Sequence, residues 1–277
     1  MTASASDPSL PGRVVFIGAG PGDPDLLTVK AARIIGRADL VLYAGSLVSP
    51  GVTALAKAEA RVLDSSGLTL DATHALLLET VTAGGLAARV HTGDPALYGA
   101  VAEQARLLAA AGVAFEIVPG VTTASAAAAA FQVSFTVPEA TQSLILTRLA
   151  GRTPMPSGES LADLARHGAS MAIYLSAGDP EGVRQALLAG GYPGHTPVAV
   201  AHRLGWPGEQ LFWACVADLP ERVRQARADR QTIFLVLPGL AETGRSKLYD
   251  PAFAHGFRPA KEKSASGGQG GALLRWY

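Results

Sequence analysis

The sequence predicts an α/β protein made of two α/β domains joined near residue 138. Three observations predict it. Short apolar runs alternate with helical patterns through the first half. That rhythm breaks over 134–142. A second, less regular set of strands and helices follows. The chain has 277 residues, 48% hydrophobic and 17% charged, so it can bury the core that two such units need.

Strands are expected at 13–17, 40–43, 61–63, 87–91 and 115–118. Each is apolar on both faces, as in strands that helices cover from both sides. Helices are expected between them at 26–35, 70–83, 100–111 and 122–131. Alternation of this kind implies βαβ units and a mainly parallel sheet. The segment 134–142 carries Pro138 and has no helical period. Beyond it, strands are expected at 143–147, 171–174, 197–201, 210–214 and 232–237, with helices at 161–167, 182–188 and 219–228. The domains should therefore span 13–137 and 138–259. The flanks, 1–12 and 260–277, read as flexible. The first is Ser/Ala/Pro-rich and lacks a basic region followed by an apolar block, so it is not a signal peptide. The second carries Ser-Ala-Ser-Gly-Gly-Gln-Gly-Gly, a low-complexity run.

Composition narrows the function. A formal net charge of zero gives no electrostatic reason to expect a nucleic acid or membrane partner. No run is apolar enough for long enough to span a bilayer. The single cysteine, Cys215, excludes an internal disulfide and suits a reducing, cytoplasmic compartment. It lies in an apolar run and reads as core. The histidines show no metal-ligand spacing, so no metal is expected.

The glycine-rich turns carry the chemistry. Gly18-Ala-Gly20-Pro-Gly22-Asp23 follows the first strand and opens a helical stretch. A dinucleotide fingerprint would need a third glycine where Asp23 stands, and a carboxylate there would face a pyrophosphate. The acid that should end the second strand is also missing, since Tyr43 and Ala44 stand there. Binding of NAD or FAD is disfavoured. Gly-Asp-Pro occurs at 22–24, 93–95 and 178–180. Asp is a good N-cap and Pro a good first helical residue, which suffices for the third copy. The first two stand in strand-to-helix crevices, where a ligand could approach the glycine backbone, and function is favoured there. Thr122 and Thr123 open the helix after Gly120, where capping is again the plain alternative.

Three ordered motifs, residues 16–28, 93–99 and 119–124, resemble the tetrapyrrole methylase family, and the resemblance covers about 13–259. Residues 42–48, 146–156, 203–207 and 246–250 look like those of its precorrin-4 and cobalt-precorrin-4 C11-methyltransferases. Ala44 stands where the related uroporphyrinogen-III methyltransferases carry an aspartate, which argues against that activity. The resemblance implies that S-adenosylmethionine binds folded in the cleft between the domains and leaves as S-adenosylhomocysteine. The contacts it implies are Pro21, Thr92, Gly93, Asp94, Leu97, Thr122, Thr123, Leu175 and Leu204, with Tyr98 and Ile233 as neighbours. Without the resemblance, the apolar ones would read as ordinary core. It also implies a homodimer.

The implied reaction joins a methyl group to C11 of the macrocycle. A pyrrole-type carbon is electron-rich, so positioning can carry the step without a dedicated base, and no catalytic residue is assigned. The substrate's carboxylates call for arginines, whose planar fork matches both oxygens. Arg148 and Arg152, in one Gly/Pro-rich loop, and Arg203 are the candidates; otherwise they would be solvated surface charge. The alternatives are another precorrin methylase, a ribosomal RNA methyltransferase of the same fold, and a regulator that binds without turnover.

Overall fold

The computed structural model describes residues 12–242, 246–254 and 256–259. The expected flexible ends, 1–12 and 260–277, fall outside these residues except for Gly12. The first sheet holds β1 (Arg13–Gly18), β2 (Leu40–Tyr43), β3 (Arg61–Asp64), β4 (Leu86–His91) and β5 (Phe115–Val118) in the order β3-β2-β4-β1-β5. All its pairings are parallel. Its helices are α1 (Val29–Ile35), α2 (Pro50–Thr53), α3 (Leu70–Thr82) and α4 (Val101–Ala110). Alternation along β1 divides the core between two faces. Val15 and Ile17 pack with Ala31, Ile34 and Ile35 of α1. Val14 and Phe16 pack with Leu77 of α3 and Leu108 of α4.

The helix expected at 26–35 is two elements. Asp23 caps a 3-10 turn, Pro24–Leu26, by accepting from Asp25 N at 2.9 Å. Thr28 then caps α1, its hydroxyl accepting from Ala31 N at 3.1 Å. The short α2 had no counterpart in the sequence pattern. Thr122 sits at the N-cap of α5 (Thr123–Ala130), but its side chain makes no cap hydrogen bond, so the capping alternative does not account for it.

The second sheet comprises β6 (Leu144–Arg148), β7 (Ser170–Tyr174), β8 (Pro197–His202), β9 (Gln210–Cys215) and β10 (Thr232–Val236), in the order β6-β7-β10-β8-β9. Only β6 and β7 are parallel; the other neighbours are antiparallel. This explains the weaker alternation in the sequence, because β8 passes to β9 through a loop with no helix. Helices α6 (Leu161–Ala165), α7 (Pro180–Ala189) and α8 (Leu219–Ala226) cover one face. The other face is covered by α5, which follows the last strand of the first sheet. Ala124, Ala127 and Ala128 of α5 meet Ala172, Ala199 and Ala201 of the sheet. Alanine on both sides lets helix and sheet approach closely. Cys215 is half-buried at the end of the edge strand β9 and lies outside the core clusters, which corrects the reading of it as core.

Candidate functional site

At the carboxyl ends of β1, β4 and β5, three backbones converge. Gly20 and Gly93 exchange hydrogen bonds, Gly20 N to Gly93 O at 3.2 Å and Gly93 N to Gly20 O at 2.7 Å. A Cβ on Gly18 would lie 2.5 Å from Gly120 Cα, and one on Gly120 would overlap the Gly93 carbonyl oxygen. Only hydrogen fits at either position. The Asp94 carboxylate joins the same knot, accepting from Ala96 N at 2.8 Å and from Gly120 N at 2.9 Å. The carboxylates of the first two Gly-Asp-Pro copies therefore cap backbone, as Asp179 of the third does toward Gly182 N at 2.8 Å. What these turns offer a ligand is backbone.

The second sheet faces this knot. Between them lies a cavity of about 350 Å³, in the size range of small-molecule sites. Pro21, Thr92, Thr123, Leu175, Leu204 and Ile233 line it, as does Arg203. Gly93, Asp94, Leu97, Tyr98 and Thr122 do not line it; they build the turns beside it. Leu175 has φ of +53° and is 71% exposed, and Arg203 and Gln231 on the same wall have φ of +53° and +48°. Non-glycine residues in the left-handed region carry strain that surrounding structure must hold, and such residues cluster at ligand sites. An exposed leucine held this way presents an apolar side chain to the cavity.

Two residues that the sequence reading did not assign join the halves. The Tyr174 hydroxyl lies 2.6 Å from Thr122 Oγ1 and accepts from Ala124 N at 3.1 Å. Its ring lies 5.6 Å from that of Tyr98. Burial pushes both phenols up from their ordinary pKa, so both stay neutral and hold these contacts at neutral pH. Trp206 donates from Nε1 to Pro21 O at 3.1 Å. The tryptophan was visible within the motif 203–207, whereas nothing local marks Tyr174.

The arginines separate by geometry. Arg148 donates to Leu149 O at 3.2 Å, Thr153 O at 3.1 Å and Pro154 O at 2.9 Å. Its guanidinium braces its own loop instead of standing free for a ligand. Arg152, in that loop, is exposed and makes no hydrogen bond or ion pair among the described residues. Arg203 keeps a buried Nε without a hydrogen-bond partner. The carboxylate on the cavity wall, Asp229, faces Arg230 at 3.6 Å. Beneath the first sheet's knot, Arg89 is buried against neutral acceptors: Gln104 Oε1, Leu42 O and Ser65 Oγ. Burial first, and then this guanidinium, push His91 down to about 3. Among the described residues, no group of three or more His, Cys, Asp or Glu stands together to hold a metal ion. No helix among them is long and apolar enough to cross a membrane.

A sequence model described as Tetrapyrrole (Corrin/Porphyrin) Methylases matches residues 13–220. A cobalt-precorrin-4 C(11)-methyltransferase of Priestia megaterium is 44% identical over 253 residues, covering 89% of this chain and 97% of that protein. A precorrin-4 C(11)-methyltransferase of Pseudomonas aeruginosa is 44% identical over 250 residues, covering 90% and 99%. Among solved structures, a cobalt-precorrin-4 methyltransferase of cobalamin biosynthesis superposes with a TM-score of 0.79 at 44% identity, covering 81% of this chain and 94% of that one. A uroporphyrin-III C-methyltransferase of Thermus thermophilus, complexed with S-adenosylhomocysteine, gives 0.68 at 28% identity, covering 81% and 97%.

Proposed function

The chain belongs to the tetrapyrrole methylase family, and from that premise we propose that it transfers the methyl group of S-adenosylmethionine to C11 of precorrin-4 or cobalt-precorrin-4. The observation that carries the reading is convergence. Motifs far apart in sequence supply one cavity between the two sheets, and relatives of that activity match the chain nearly end to end.

The residues fit the methyl donor. Leu175, Leu204 and Ile233 give an apolar wall for an adenine or thioether, and Thr92 and Thr123 lie on the same wall with hydroxyls to bond polar groups. When bound, S-adenosylmethionine supplies an activated methyl group on a sulfonium. The chain's task is then to hold the acceptor carbon in line with it and exclude water. Fixing two reactants in an attack geometry can lower a barrier by roughly 7–11 kcal/mol. Asp229, a carboxylate on the wall, pairs with its neighbour Arg230 at 3.6 Å, and no base is assigned. Arg152 is the residue we assign to a substrate carboxylate, with Arg203 as a second contact; Arg148 shapes the loop that presents Arg152. The two domains are read as 13–137 and 138–259, and the working form as a cytoplasmic homodimer.

Purified protein given methyl-labelled donor with precorrin-4, and separately with cobalt-precorrin-4, should place one new methyl at C11. Labelling at another ring carbon, or binding without turnover, overturns the reading. The faster acceptor of the two settles the metal state of the substrate.

A further inference from the structure

Trp206 sits in the loop between β8 and β9 and hydrogen-bonds across to the first glycine turn. Its Nε1 donates to the Pro21 carbonyl at 3.1 Å across 185 positions of sequence. The fit is tight: a Cβ added to Gly22 would overlap the indole and lie 2.8 Å from Leu204 O. The preceding residue makes a similar approach, since a Cβ on Gly205 would lie 2.5 Å from Asp23 N. The loop itself is held. Trp206 N donates to Arg203 O at 2.9 Å, Glu209 N to Trp206 O at 3.0 Å, and Gly205 N to Glu209 Oε2 at 2.7 Å. Pro21, Leu204 and Trp206 all line the 350 Å³ cavity. Trp206 also lines a wider groove of about 1100 Å³ that shares part of this wall, Arg203 and Gln231 included.

We propose that Trp206 is a positioning residue for the methyl donor: its N–H fixes the Pro21 carbonyl, and its ring forms part of the wall that the donor cavity shares with the wider groove. The physical argument is one of rigidity. Pro21 is buried and its carbonyl accepts no backbone hydrogen bond among the described residues, so it needs a side-chain partner from outside the turn. The indole is that partner. It ties a wall element of one half to a wall element of the other, as Tyr174 does toward Thr122 elsewhere on the cavity, and so helps to set the cavity's width.

The inference rests on the donor reading, and the test separates the two. Wild-type protein is first titrated with S-adenosylhomocysteine by calorimetry; no binding would sink the donor reading itself. Given wild-type binding, two variants follow. Trp206→Phe keeps an aromatic ring without the donor. Incorporation of benzothienylalanine at 206 keeps the whole bicyclic shape and removes only the N–H, so it remains informative if the phenylalanine variant folds poorly. Both should raise the Kd for S-adenosylhomocysteine roughly three- to tenfold, the usual effect of one lost hydrogen bond. The tetrapyrrole KM should stay within about twofold. A spectroscopic readout is available because the chain has three tryptophans. With Trp213 and Trp276 replaced by phenylalanine, S-adenosylhomocysteine should shift the emission of Trp206. An unchanged Kd in the benzothienylalanine protein, or a fall in melting temperature with normal affinity in the folded fraction, overturns the proposal. So does silent Trp206 emission at saturation.

Discussion

The two halves of the molecule contribute to the same cavity in opposite ways. The first half gives it chiefly backbone, with the hydroxyls of Thr92 and Thr123 beside it: glycine turns packed so closely that Gly18 and Gly120 admit no side chain, with Asp23 and Asp94 capping them. The second sheet gives it side chains: Leu175, Leu204 and Ile233 on the wall, and Tyr174 and Trp206 reaching across. The difference teaches where function can be separated from folding. A change in the first half should damage the fold before it can inform on the ligand. A change in the second half should alter binding while the fold survives.

The largest expected effect lies in the first half. Gly120→Ala forces a methyl into the Gly93 carbonyl, a clash between two backbones that no rotamer can relieve. It should cost about 3 kcal/mol or more, read as a large drop in melting temperature. A variant that melts like wild type would break the comparison outright. Next comes Arg152→Ala in the second half. Loss of one charge-assisted contact, about 1.5–3 kcal/mol, should raise the tetrapyrrole KM roughly ten- to a hundredfold. Affinity for S-adenosylhomocysteine and melting temperature should both hold. An equal loss of donor affinity would show that the loop serves the other ligand.

Leu175→Gly sharpens the comparison further. Glycine relieves a strained φ of +53° and removes an apolar side chain that is 71% exposed without a ligand. Melting temperature should stay level or rise, while affinity for S-adenosylhomocysteine falls about tenfold, in line with losing a buried leucine contact of about 1.5 kcal/mol. A loss of stability would mean that the leucine serves the fold.

The effect that is smallest at neutral pH, and grows as pH falls, concerns a buried side chain of the first half. His91 is held down to about 3, against 6.5 for the unperturbed group. Between these values the unfolded chain binds a proton that the folded chain does not, so stability falls as pH falls from about 6.5 toward 3. The slope is at most about 1.4 kcal/mol per pH unit. Denaturation of His91→Gln should show that acid limb flattened. An unchanged limb would assign it to other groups.

How much of this was legible in the sequence follows the same division. The strands of the first sheet could be placed within a residue or two: β1, β2 and β4 are buried on both faces and read as continuous apolar runs. The edge strands β3 and β5 are largely exposed, which corrects the reading of every strand as covered on both sides. Its glycines announced close approach by their spacing. The second sheet's strands were also visible, but not their order or direction. The β8–β9 connection carries no two-residue hairpin signature. Thr28 split a helix that apolar periodicity alone would have kept whole. Asp94 and Arg148 were chemically plausible ligand groups. Their partners, Gly120 N and the carbonyls of residues 149, 153 and 154, are backbone atoms, which side-chain identities do not reveal. Tyr174 was seen only as the end of a strand, because its partner Thr122 lies 52 positions away.

The position of α5 bears on how the protein could be taken apart. In sequence it trails the first sheet, yet its alanines are seated on β7, β8 and β10 of the second. A gene cut at the 137/138 junction would leave this helix on the N-terminal fragment and strip the alanine face of the C-terminal one. Neither fragment would then be self-sufficient. Mixed, they would have to recognise each other through a helix docking into its vacant seat, so that junction is suited to a split reporter in which methyl transfer returns only when two fused partners bring the pieces together.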